Sequence, residues 1–250
     1  MKNQPASLAL SLLLAFGLLA HARAETALEQ ARAAFAQKDL ATAETLLTPL
    51  VTADAPDAAA CYQLGLVRQQ QNRFEEAVDL FEKATRRDAT QAEYFASLGL
   101  AASQRMSQVG MMKGAMLAMK MKKAWTQALE LDPQNISSLI GLARYHTNAP
   151  AIAGGSMEKS REFAARLKQI HPFLGELEFG TIAEHFEDYA AAATHYQAAA
   201  QLAPKNLHAQ TSAARVLAKL GRKDDARTHL NAALQIDPAH AAAQKALAEL

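Results

Sequence analysis

The sixteen residues Tyr189-Ala190-Ala191-Ala192-Ala193-Thr194-His195-Tyr196-Gln197-Ala198-Ala199-Ala200-Gln201-Leu202-Ala203-Pro204 read as one alanine-rich helix stopped by proline, which has no amide hydrogen to continue it. The spacing of small residue and proline recurs along the chain. Ala192 and Ala226 are 34 residues apart, as are Pro204 and Pro238, Leu64 and Leu98, Gly65 and Gly99, and Ala43 and Ala77. A fixed period of that length, with small residues where helices must cross, is the sign of antiparallel helix pairs stacked on one another. Gly65 or Ala143 leaves room in a first helix, Ala77 or Ala226 does so in a second, and Phe81 or Tyr196 fills the gap between neighbours.

The pattern Leu-Gly in the first helix, Ala then a large residue four later in the second, and Pro after it resembles the tetratricopeptide repeat family. That resemblance implies an all-α, right-handed superhelical solenoid of about six helix pairs with a C-terminal capping helix. The period sets the repeats at 24–57, 58–91, 92–135, 136–172, 173–206 and 207–238, with the capping helix at 239–250, in one domain spanning 25–250. In the first repeat Pro49 is expected to kink or shorten the second helix. Cys61 occupies the family's large aromatic position and is expected to be a buried small hydrophobe.

Two stretches depart from the period. Trp125, Ala128 and Pro133 come 10 residues later than 34-residue spacing from the second repeat requires. The added segment holds Met106, Met111, Met112, Met116, Met119 and Met121, six of the chain's eight methionines, together with Lys113, Lys120, Lys122 and Lys123. Lengthened helices meeting at a looser joint are expected there. The second departure is the connection Asn148 to Ser156, with Gly154-Gly155, after which Ser156 is expected to cap the next helix. This proline and double-glycine loop is similar to one in some bacterial envelope members of the family.

The N-terminus has the marks of a secretory leader: Lys2, an apolar run of 13 residues from Leu8 to Ala20, and the small-x-small pattern Ala22-Arg23-Ala24. Cleavage is expected after Ala24, giving a periplasmic protein with no membrane span. Lys plus Arg number 26 and Asp plus Glu 25, and loss of Lys2 and Arg23 leaves 24 against 25. That balance suggests neither a nucleic-acid partner nor a polybasic membrane patch. One cysteine allows no internal disulfide.

No catalytic constellation is found, and no cofactor is expected. Gly155 to Ser160 only partly follows a phosphate loop, because Glu158 replaces the glycine before Lys159. The histidines form neither an i, i+4 pair nor a His-Glu-x-x-His motif. The expected function is a non-enzymatic adaptor that binds another envelope protein, or an extended peptide, on its concave face. The family's first-helix positions place Arg32, Leu66, Leu100, Arg144, Thr181 and Arg215 there, with Leu28, Tyr62, Ala96, Ile140, Leu177 and Thr211 beside them. Arg32, Tyr62, Leu66, Gln69, Arg144 and Arg215 are the candidate groove residues, and the arginines suit a partner bearing acidic groups. Met112, Met116 and Met119, at i, i+4 and i+7, share one helix face. They could fill an irregular seam, form an adaptable partner surface or a homo-oligomer contact, or, as the alternative function, hold periplasmic Cu(I) through thioethers of the helix 106–121.

Overall fold

A computed structural model describes residues 24–52 and 56–250. The leader segment lies outside the described residues except for Ala24. Those residues contain no strand. They form two compact units divided between Leu131 and Asp132.

The first unit holds α1 (residues 24–36), α2 (Leu40–Thr52), α3 (Ala58–Gln70), α4 (Phe74–Arg87), α5 (Ala92–Met106) and α6 (Met111–Leu131). The second holds α7 (Ile136–Asn148), a 3₁₀ turn (Ala151–Ala153), α8 (Met157–Ile170), α9 (Pro172–His185), α10 (Tyr189–Leu202), α11 (Leu207–Lys219), α12 (Lys223–Ile236) and α13 (Ala241–Glu249). Within each unit, helices adjacent in sequence pack on one another. The result is a row of helix hairpins.

The 34-residue period has a backbone counterpart. Lys38, Asn72, Glu187 and Gly221 all have left-handed φ, between 59° and 73°, at the turn between the two helices of a pair. One residue later an amide closes the preceding helix with the same bond each time: Asp39 to Ala34 O, Arg73 to Arg68 O, Asp188 to Ala183 O and Arg222 to Leu217 O, at 2.9–3.0 Å. These bonds satisfy carbonyls that the helix leaves open. Lys38 to Asn72 and Glu187 to Gly221 are each one period. The α5–α6 and α7–α8 connections do not share this turn, and they are the two that depart in sequence.

Helix starts are fixed by side chains. Asp57, Asn135, Ser156, Asp188 and Asn206 each accept from the backbone amide three residues on, at 2.7–3.3 Å. Ser156 thus caps α8 as its sequence suggested. Pro172 starts α9, where its missing amide costs nothing. Pro49 does not end α2. The helix runs on to Thr52, because a proline in the last turn of a 13-residue helix removes only one internal bond.

Crossing points follow one rule. A Cβ at Gly65 would lie 2.6 Å from Phe81 Cε1, and one at Gly180 would lie 2.6 Å from Tyr196 Cδ1. A bare backbone at those points lets the ring approach the helix closely. Gly99 does the same for Trp125. The ten added residues lengthen α5 to 15 and α6 to 21 residues, and the pair returns to register at the aromatic. Both helices are lengthened as expected, and at the joint between them packing is sparse: a Cβ on Gly110 would meet nothing within 4 Å, and Met111 is 93% exposed. Phe81 and Cys61 are fully buried. Burial also pushes the Cys61 thiol up, the setting of a packing residue and not of a reactive one.

Candidate interaction surface

In the first unit the first helices α3 and α5 bring candidate residues together. Tyr62 stacks on Tyr94 with ring centroids 4.6 Å apart and leans on Phe81 at 5.7 Å. One and two turns along α3 are the half-buried Leu66 and Gln69, and the Gln69 amide donates to Gln104 Oε1 of α5 at 2.6 Å. Leu100, one period after Leu66, is 40% exposed. Arg32 on α1 is exposed, and its charge acts on the Tyr94 phenol. Burial dominates there and pushes that phenol up.

In the second unit the two arginines are engaged by carboxylates of the same unit. Arg144 Nε donates to both oxygens of Glu178, at 3.0 and 3.2 Å, and its Nη2 donates to Oε1. The Glu178 side chain is 4% exposed and that of Arg144 59%. The buried carboxylate thus holds the guanidinium from below, and this pairing raises the Arg144 pKa. Arg215 makes the corresponding two-pronged contact with Glu184, which also accepts from the Tyr196 hydroxyl at 3.1 Å. Glu178 lies one period beyond Arg144, so the spacing carried this pairing, but charge counting alone did not reveal it.

Beside Arg215, α11, α12 and α13 enclose an open groove of about 590 Å³. Thr211 and Arg215 of α11 form one wall, Ala242 and Ala246 of α13 the other, and Leu230 the floor. Lys223, also part of the lining, donates to the Leu250 carbonyl at 2.9 Å. This volume and mainly apolar lining suit a few side chains of an extended segment.

Histidines repeat as well. His195 Nδ1 is 2.7 Å from Glu176 Oε2, and His229 Nδ1 is 2.7 Å from Gln210 Oε1, one period later. The Gln210 amide nitrogen donates to Pro204 O at 3.0 Å, so its oxygen faces His229 and that ring nitrogen is the donor. Burial holds His229 below its ordinary value of 6.5, with partial opposition from the Asp225 charge. Below pH 6.5 the unfolded chain therefore takes up this proton before the folded chain does. Stability is present above that pH and falls as the pH drops through the lowered folded value. The expected result is a lower urea midpoint at pH 5.5 than at pH 7.5, with a smaller drop in His229→Gln. An equal drop in both proteins would refute the assignment.

Among the methionines of the departure, Met112, Met116 and Met119 are 83%, 64% and 65% exposed, whereas Met121 is buried. The first three therefore do not fill a seam. Among the described residues no group of three His, Cys, Asp or Glu could hold a metal ion.

The tetratricopeptide repeat model matches residues 34–100 and 185–250, more than half of the chain. The chain belongs to the tetratricopeptide repeat family. It is a repeat protein of the protein-interaction scaffold type. No curated protein matches it by sequence. Among solved structures this tetratricopeptide repeat protein is similar to PilW, with TM-score 0.73 and 12% identity over 90% of this chain and 98% of that one. It is similar to PilF of Pseudomonas aeruginosa, with TM-score 0.66 and 15% identity over 92% and 99%. The APC/C hetero-tetramer Cut9–Hcn1 gives TM-score 0.65 and 16% identity over 90% of this chain, which spans 42% of the length of that chain. At such identities the likeness concerns the fold. Membership of a scaffold family does not favour the copper reading of the methionines. Among the described residues no helix is long and apolar enough to cross a membrane.

Proposed function

We propose that this tetratricopeptide repeat protein is a non-enzymatic periplasmic adaptor that binds an extended segment of another envelope protein along its first-helix face. The observation that carries the proposal is the groove between α11 and α13, because Thr211 and Arg215 belong to the first-helix positions the family turns to its partners. A mainly apolar lining that includes Arg215 and Lys223 suits an apolar side chain flanked by carboxylates. In the first unit the Tyr62–Tyr94 stack and Leu66 offer a further apolar, half-buried surface of the same kind. Two relatives by fold lend context. The PilW structure is described as a widely conserved type IV pilus biogenesis factor, and the YrrB structure as a tetratricopeptide repeat protein with an unusual peptide-binding site. The periplasmic location is supported by the leader pattern from Lys2 to Ala24.

The test fills the groove without removing a charge. Thr211→Trp places a ring between α11 and α13, and affinity purification from envelope extract is compared with the unmodified chain. The expected outcome is one partner enriched by the unmodified chain and reduced about tenfold or more by the variant, the loss of roughly 1.4 kcal/mol or more. Equal recovery by both proteins would contradict groove binding.

A further inference from the structure

We propose that the outward face of the first half of α6 binds the surface of an anionic bilayer, a contact separate from the first-helix face discussed above. Taken at 100° per residue, Met112, Met116, Met119 and Lys123 lie on a narrow stripe opposite the buried Leu117, Met121 and Ala124. Met111 adds a further side chain that is 93% exposed at the helix start. An apolar line pointing away from the core requires a covering surface.

Charge selects that surface. From Met111 to Leu129 the helix carries Lys113, Lys120, Lys122 and Lys123 and no acidic residue. Lys113 and Lys120 fall on one side of the stripe and Lys122 on the other. The acid that α4 sends toward this helix, Glu82, is paired with Lys120 and Arg86. Exposed methionines with Lys123 among them and Lys113 beside them form the cross-section of a helix lying in a bilayer interface, with the ammonium groups of these two lysines reaching the lipid phosphates. A second copy of the chain would oppose lysines to lysines. A folded acidic partner would have to supply a groove for a convex ridge, whereas lipid conforms to it.

The test reports from α6 itself and uses the full chain. Ala115→Cys, exposed at the edge of the stripe, is labelled with an environment-sensitive fluorophore while the buried Cys61 stays in place. The label is titrated with vesicles of phosphatidylcholine alone or containing 30% phosphatidylglycerol as the probe surface. A label on Asn231→Cys, exposed on α12, is the control. The expected result is a blue shift at position 115 with the anionic vesicles only, and none at 231. Lys113→Gln with Lys123→Gln should raise the lipid concentration at half-effect about thirtyfold, from about 1 kcal/mol per lysine. Met112→Gln with Met116→Gln should abolish the shift, with helical content unchanged by circular dichroism. The proposal is overturned by no shift on anionic vesicles, by equal shifts on both vesicle types, or by a shift indifferent to both pairs of substitutions. A shift given only by an acidic protein in the extract overturns the lipid assignment too.

Discussion

Phe81→Ala is expected to destabilise the chain by about 3–5 kcal/mol, seen as a large fall in the urea midpoint of helix loss. Phe81 is fully buried, lies where a Gly65 side chain would have to be, and supports Tyr62 from one side. Truncation would leave a ring-sized void between two helices whose backbones meet at that point, and Gly65 has no side chain to fill it. Phe81→Leu should cost less than half as much, because much of the volume is retained. A loss below about 1 kcal/mol for Phe81→Ala would mean that the glycine-to-ring contact does not organise the hairpin stack. Tyr196 over Gly180 plays the same part in the second unit.

Arg144→Ala is expected to cost about 2–3 kcal/mol, although the arginine itself is 59% exposed. The cost arises at Glu178, whose side chain is 4% exposed and would be left buried without its guanidinium partner. Water can reach the exposed arginine's place, and for that reason the effect falls below the full range for a broken buried pair. Replacing the carboxylate as well, in Arg144→Ala with Glu178→Leu, should recover most of the loss. A double-mutant cycle by urea denaturation measures this directly, and strict additivity of the two single effects would show that the pair is not coupled.

These two cases also indicate what was legible in the chain. The positions of Gly65, Phe81, Gly180 and Tyr196 carry the fold, since crossing helices demand small and large side chains at fixed intervals. Trp125 was readable as the delayed member of that series, and Gly99 beneath it explains why an insertion was tolerated: the added turns extend α6 beyond the contact. The left-handed residues at the hairpin turns were not readable. Three of the four are Lys38, Asn72 and Glu187, and lysine and glutamate give no hint of positive φ. The candidate surface was legible in position and less so in chemistry. Arg144 and Arg215 stand on the first helices, but their carboxylate partners come from Glu178 and Glu184 on another helix. Composition does not reveal such pairing. The groove depends on how far α13 stands from α11, a spacing that the turn at Pro238 and small residues such as Ala243 permit but do not specify. The methionine stripe was visible as a helix face, yet which way it points follows from Leu117, Met121 and Trp125 taking the inward side of α6.

The most direct measurement is site-specific photocrosslinking in the cells that make the protein, with the reactive group placed in turn at Thr211, inside the groove, and at Asn231, on the exposed side of α12. Binding of an extended partner segment between α11 and α13 predicts a discrete protein adduct from position 211 and none from 231, whereas equal adducts at both positions, or none at 211 in cells where the protein is folded and exported, would contradict it.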